Sequence, residues 1–320
     1  MARTTSGPTT WSREIVERKL GAIFKVLSIL FFFIITAFPF YWMFNLSFRP
    51  FGDVLVNPLR MVPRLQDLGA VFAPLSCLGG SQSEACQSAI RNSSYAAVLV
   101  NFGFLTYIRN SVIISLLTVT LTLLLAIPAA YAVTRLEFRG RDAMSWGILL
   151  IYMFPAIVLG IPLFVFFVRI QQAMGIRLRG NLYGVTVIYL ASTLPVALYM
   201  LRSYFPTIPR DLEEAALIDG CTRMEVIWRI TIPLAIPAIA SVALYTFMIA
   251  WNEFLYALLF LVETQPSWTL PLGLQQLDSQ EVPRTFLMAG SVIITVPIIV
   301  IFFFFERFLV RGLTAGAVKG

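Results

Sequence analysis

Six long stretches of the chain contain no Asp, Glu, Lys or Arg: Val26–Leu46, Ser111–Val133, Ala143–Val168, Asn181–Leu201, Ile230–Asn252 and Thr285–Phe305. A helix crossing a hydrocarbon core of about 30 Å needs about 20 apolar residues, and each stretch is long enough. Apolar positions run all round the helix in every one, not along a single stripe, as burial in lipid requires. Barrel strands would be shorter and would alternate in polarity. The first stretch is too long for a signal-peptide core, and no A-x-A site follows it. The pattern therefore predicts an all-α membrane protein with six transmembrane helices.

The polar intervals divide the rest. Residues 1–25 form an arm, whose Trp11–Lys25 part is expected to lie on the membrane as an amphipathic helix. After the first span (26–47), residues 48–109 form the longest connection, with Pro50, Pro58, Pro63 and Pro74 and the pair Gly79–Gly80. Its apolar stretch Tyr95–Leu105 is too short to span and is expected to be an interfacial or packed helix. Residues 110–320 form the core, with a polar loop at 207–233 and a tail at 306–320. Pro39, Pro128, Pro155, Pro162, Pro195 and Pro297 fall inside the spans, as helices kinked around a pathway or ordinary membrane helices both allow.

Composition narrows the chemistry. Of 320 residues 58% are hydrophobic and 13% charged, against about a quarter charged in soluble domains, which argues against a soluble enzyme. Histidine is absent, so the commonest general base and metal ligand is missing and no metal site is expected. The net charge of +7 needs no nucleic acid to explain it. Six spans put both termini on one side, and that side carries fifteen of the 24 Lys and Arg residues. The positive-inside rule then makes both termini cytoplasmic. Cys77 and Cys86 fall outside and Cys221 inside, matching an oxidising exterior and a reducing interior. A Cys77–Cys86 disulfide is expected there, with two free thiols as the alternative.

The loop at 207–233 differs from the rest, holding five of the seventeen acids: Asp211, Glu213, Glu214, Asp219 and Glu225. Pro209 suits a helix entry, and Asp211 suits the positive first turn. Leu212, Ala215, Ala216 and Ile218 can share an apolar face. Gly220 can end that helix in the left-handed conformation. A second helix over Arg223–Ile232 then leads into the fifth span. The result is a helix–turn–helix with small residues at its tip.

Glu214-Ala215-Ala216, three residues, Gly220, nine residues, then Ile230-x-Ile232-Pro233 resembles the EAA loop of ABC importer permeases, whose pattern ends I-x-L-P. The single departure is isoleucine at position 232. Arg109-Asn110-Ser111, Ala129-Ala130-Tyr131-Ala132, Phe138-Arg139-Gly140-Arg141 and the tail Arg311–Gly320 resemble the carbohydrate-uptake branch, in particular maltose-type six-span subunits. The insertion around Cys77–Cys86 has no counterpart in that pattern. The resemblance implies a type I importer permease fold. It implies that Glu213, Glu214, Ala215, Ala216, Asp219, Gly220, Ile230 and Pro233 couple the chain to an ATPase. The implied partners are a second homologous permease subunit, two ATP-binding subunits, an extracytoplasmic sugar-binding protein and lipid, in a bacterial or archaeal plasma membrane. The implied cargo is an oligosaccharide such as an α-glucoside of maltose or trehalose type. No G-x-x-x-x-G-K-[ST] occurs, and none of the three lysines follows a glycine. ATP and Mg are therefore expected on the ATPase partner, with no cofactor held here and no catalytic residue.

Two further sets complete the expectations. Glu253 is the one ionisable residue of the extended fifth span, so it should face a partner or a wet cavity. With Trp251, Asn252 and Tyr256 it forms a candidate translocation lining; interhelical bonding or an aromatic belt is the alternative. Thr269–Gln276, with Gly273, Gln275 and Gln276, resembles the family's scoop loop, which implies that Gln275 and Gln276 compete for sugar hydroxyls; packing on the membrane surface is the alternative. An ion-coupled secondary transporter and a membrane assembly scaffold are the rival classes. The first needs intramembrane charge relays and the second needs no coupling loop.

Overall fold

The computed structural model describes residues 10–69, 77, 83–141, 143, 147, 150, 153 and 155–317, and among these the regular structure is helical. Helix α1 (Thr10–Phe48) is followed by α2 (Phe51–Val56), α3 (Leu65–Gly69), α4 (Glu84–Asn92), α5 (Ser94–Val100) and α6 (Phe104–Arg135). Next come α7 (Ala156–Met174), α8 (Leu182–Tyr204), α9 (Arg210–Ile218) and α10 (Arg223–Val226). A π-helical turn (Ile227–Thr231) and a single turn (Ile232–Leu234) lead to α11 (Ile236–Asn252), α12 (Leu255–Leu261), α13 (Leu270–Gln275) and α14 (Arg284–Ala317).

Five helices among the described residues are long and apolar enough to cross a membrane: Glu17–Phe48, Phe104–Arg135, Ile157–Met174, Leu182–Thr207 and Arg284–Phe308. A sixth span arises if Arg223–Leu234 and Ile236–Asn252 count as one, although they meet at 80°. Most of the expected third span before Pro155 lies outside the described residues.

Three differences from the sequence expectations have physical causes. The arm is not a separate surface helix, because α1 runs unbroken for 39 residues from Thr10 to Phe48. No glycine cap or helix-terminating motif separates its polar start from its apolar body. The expected entry into the fifth span breaks at Ala235 (φ −90°, ψ 3°), between Pro233 and Pro237. Two prolines four residues apart each remove a helical donor, one on either side of the break, and the wide turn before them closes with an Ile232 N–H to Ile227 carbonyl bond. The apolar stretch Tyr95–Leu105 is divided by Gly103 (φ 73°), so that α5 is a packed helix and Phe104 already opens α6. Of the six intramembrane prolines, Pro155 precedes a helix and the other five lie within one.

The contact between α6 and α8 uses small and hydroxyl-bearing side chains. Ala126, Ala130 and Ala197 are buried between α6 and α8, and Thr122 and Thr193 share a hydrogen bond of 2.9 Å across the same contact. Close approach of this kind is how helices associate without a hydrophobic drive between them. The large apolar residues of α1, such as Phe31, Phe32 and Phe33, point outward, as lipid or a partner subunit requires.

Candidate functional site

The loop at 207–233 folds as its sequence dictates. Helix α9 ends in a Schellman motif: Cys221 N–H reaches the Ala216 carbonyl (3.0 Å) and Gly220 N–H the Leu217 carbonyl (3.1 Å). Gly220 sits at φ +90° with open space where a Cβ would go, so backbone strain alone demands glycine there. Helix α10 begins with a complete capping box, Thr222 and Glu225 each bonding the other's backbone N–H. Those bonds, backbone first, and the Arg229 charge hold the Glu225 carboxyl below its ordinary pKa.

The inward face of α9 is not the one expected. Glu213 and Ala216 are buried, while Leu212, Ala215 and Ile218 are exposed. Glu213 turns inward because it meets a cation. Its Oε1 accepts from Arg135 Nε (3.1 Å) and Thr231 Oγ1 (3.3 Å), and its Oε2 accepts from Tyr131 OH (3.3 Å). Arg135 Nη2 also donates to the carbonyls of Phe205 (3.0 Å) and Ile208 (2.8 Å). Both charged side chains are nearly solvent-free, with 5% and 7% of their surface exposed, so each is paired and bonded as burial demands. The outer surface is left with Leu212, Glu214, Ala215, Leu217, Ile218, Asp219 and Gly220. Ile230 is half-buried and Pro233 exposed beyond the π turn.

Of the expected pathway set, Glu253 and Tyr256 are joined by a hydrogen bond, while Trp251 bonds a different helix. Trp251 is buried, stacked on Phe247 with centroids 5.3 Å apart, and donates its indole N–H to the Ile294 carbonyl of α14 (3.1 Å). Its place is in helix packing, because an aromatic donor in an apolar layer bonds the nearest free carbonyl. Tyr256 is also buried. Glu253 is half-buried and caps α12, its Oε1 accepting from Tyr256 N–H (2.8 Å) and its Oε2 from Ala257 N–H (3.1 Å). A carboxylate at a helix N-terminus meets the positive end of the dipole. Of the four residues only Asn252 is exposed.

At the opposite end of the molecule α13 is pinned to the start of α6. Asn110 Nδ2 donates to the carbonyls of Pro266 (2.8 Å) and Trp268 (2.9 Å), and Ser111 Oγ accepts from Leu270 N–H (2.8 Å). Gln265 reaches Tyr107 OH (3.1 Å). Gly273 is buried against the Tyr107 ring, where an added Cβ would sit 2.3 Å from Cδ2. Gln276 donates to the Phe102 carbonyl (3.0 Å), which leaves Gln275 as the exposed glutamine. Asn110, Ser111 and Arg135 were not read as site residues, yet polar groups at the edges of an apolar stretch are a signal for such anchors.

The 48–69 segment is held by its own charges. Arg49, fully buried, bonds Asp53 through Nε (2.8 Å), and Arg60 bridges Asp53 (3.0 Å) and Asp67 (2.5 Å). Burial would raise the Asp53 carboxyl, but the Arg49 hydrogen bond and the charges of Arg49, Arg60 and Arg64 outweigh it and leave the pKa lowered. Cys77 and Cys86 are joined by a disulfide with Cα atoms 4.7 Å apart; residues 78–82 lie outside the described set. Cys221 is a free thiol. Among the described residues, no group of three or more Cys, Asp or Glu could hold a metal ion.

Comparison with known proteins agrees with this arrangement. Residues 122–315 match the family described as binding-protein-dependent transport system inner membrane component. The chain is 35% identical over 308 residues to the inner membrane ABC transporter permease protein YcjP of Escherichia coli, covering 95% of this chain and 99% of that one. The identity is again 35% over 308 residues, with the same coverage, to the trehalose/maltose transport system permease protein MalG of Thermococcus litoralis. It is 35% over 271 residues to the trehalose transport system permease protein SugB of Mycobacterium tuberculosis, covering 84% and 96% of the two chains. In fold it resembles a chain of a bacterial ABC transporter involved in alginate import, with a TM-score of 0.72 at 21% identity over 95% of this chain and 100% of that one. The spans, the bent entry into α11 and the helical loop at 207–233 thus fall within one lineage, and the chain belongs to the inner membrane components of binding-protein-dependent transport systems, the permeases of ABC importers.

Proposed function

We propose that this permease carries an oligosaccharide, of the size and chemistry of an α-glucoside disaccharide, and is driven by separate ATP-binding subunits docked on α9. The observation that carries the docking is the division of α9 into two faces. Glu213 and Ala216 are committed to the chain's own helices, and Leu212, Glu214, Ala215, Leu217 and Ile218 are left outside. An exposed apolar patch rimmed by charge, at a tip of small residues, fits a groove on another protein. The substrate class rests on the trehalose and maltose relatives.

In this reading both termini and the 207–233 loop are cytoplasmic, and α13 with Gln275 faces an extracytoplasmic sugar-binding protein. A second homologous permease covers outward apolar surface, and two ATPase subunits hold ATP and Mg. The permease itself catalyses no reaction. Motion of α9 opens the cavity alternately to the two sides. Glu214→Arg or Gly220→Val should abolish copurification of the ATPase subunits while leaving the chain in the membrane. Proteoliposomes holding the whole assembly should take up labelled trehalose or maltose only with binding protein and ATP. ATPase copurification unchanged by both substitutions would overturn the docking face, and an assembled, ATP-hydrolysing complex that moves neither sugar would overturn the substrate class.

A further inference from the structure

The buried face of α9 does something the docking face does not, because it fixes which membrane helices follow α9. Glu213 gathers donors from α6 (Tyr131 and Arg135) and from the end of the π turn (Thr231). Arg135 in turn grips the Phe205 and Ile208 carbonyls just beyond α8. Four chain segments therefore meet at one nearly water-free ion pair. In such surroundings hydrogen bonds reinforce one another, and a partly broken network leaves groups unpaired at high cost. The path from this joint onward to α11 bends sharply, with Ala235 at the bend buried in one cluster with Tyr131, Phe205, Ile208 and Ile227. It crosses the break at Ala235, where the axis turns by 80° between two prolines.

We infer that α9, the cytoplasmic end of α6, the residues following α8 and the π turn move as one body held by Glu213 and Arg135 as positioning residues, while the break at Ala235 absorbs the movement between that body and α11. Small shifts at one site become large ones elsewhere when rigid pieces pivot about few residues. The inference rests on the coupling role proposed above, and the experiment separates the two.

In the complete transporter with Cys221→Ser, spin labels are placed in pairs at exposed or partly exposed positions: Arg210→Cys with Glu137→Cys inside the body, and Arg210→Cys with Met248→Cys across the break. Distances are measured without nucleotide and with ATP. The 210–137 distance should stay constant to within about 2 Å, the size of a local helix shift, while the 210–248 distance changes by more. Glu213→Gln should make the 210–137 distance respond to nucleotide and should lower substrate moved per ATP hydrolysed about tenfold, a normal size for a coupling energy. A 210–137 distance that tracks nucleotide in the unsubstituted joint, or a 210–248 distance that does not, overturns the inference. The two unsubstituted-joint distances decide the matter even where Glu213→Gln fails to assemble. Loss of the ATPase subunits from the unsubstituted protein would instead defeat the docking role.

Discussion

The two polar ends of the molecule are both organised by buried arginine–carboxylate pairs, but over different spans of sequence. In the 48–69 segment Arg49, Asp53, Arg60 and Asp67 lie within nineteen residues and shape one loop. At the end formed by the 207–233 loop Arg135 and Glu213 are 78 residues apart and join separate helices. A local network can be lost with damage confined to its loop, because its carbonyl acceptors survive. Arg49 keeps Arg60 O (3.2 Å), Asn57 O (2.5 Å) and Asp53 O (3.2 Å). On the acid side of the long-range pair, loss of Arg135 leaves Glu213 only the neutral hydroxyl donors of Tyr131 and Thr231. The difference separates a charge cluster that builds a surface from one that connects moving parts.

The largest expected effect is therefore Arg135→Ala. It strands a buried carboxylate and frees two carbonyls, and breaking such a pair costs about 3–5 kcal/mol. Thermal unfolding in detergent should show a large loss, and Arg135→Ala with Glu213→Ala together should be less damaging than Arg135→Ala alone. Equal stability of single and double variants would mean that the pair is not coupled.

Gly273→Ala comes next. The added methyl meets the Tyr107 ring, and overpacking costs about 1–3 kcal/mol. Tyr107→Leu should relieve the strain in a double-mutant cycle, since it removes the ring atoms that clash. Additivity of the two would show that the close approach does not set the position of α13.

Asp53→Asn should be milder, about 1.5 kcal/mol, because the two charge-assisted bonds from Arg49 and Arg60 weaken to neutral ones while Arg49 keeps its carbonyl acceptors. Its signature is spatial. Hydrogen exchange should rise across residues 49–69 and stay unchanged at α9, whereas Glu213→Gln should raise it at α9 and the end of α6 together. Exchange spreading from Asp53→Asn into α9 would erase the contrast between the two ends.

How much of this was readable beforehand follows the same division. Local rules announced the Gly220 cap and the polar loop at 207–233, because each depends on neighbours a few residues away. The partners of Glu213 and Trp251 were not readable. Glu213 and Glu214 are adjacent acids of equal propensity, and only the placement of Arg135 decides which one turns inward. Trp251 was a candidate for the translocation lining, and its bond to a carbonyl on α14 depends on a partner 43 residues away. The apolar positions of α9 pointed to a face containing Ile218 that proves exposed, because an ion pair took the buried side. Asn110 and Ser111 were quoted for their resemblance alone, and their work as clamps on residues 266–270 needed coordinates.

The smallest expected effect concerns Glu225, whose interactions are local and exposed. Its folded pKa lies below the ordinary value because the Thr222 backbone and side chain, and then Arg229, favour the charged form. A group with a depressed folded pKa contributes stability that is complete above its unfolded pKa of about 4.3 and is lost as pH falls through the lower folded value. Acidification below pH about 4 should therefore raise hydrogen exchange at α10, whose first turn the capping box holds, and loss of the box should not of itself open α9. Thr222→Ala should remove only part of the pH dependence, because it deletes the side-chain half of the box and leaves the larger cause, the Thr222 backbone N–H bond, in place. If α9 and α10 open together at the same pH in the unsubstituted protein, the loop is one cooperative unit, and the distinction between its locally capped half and its long-range anchored half fails.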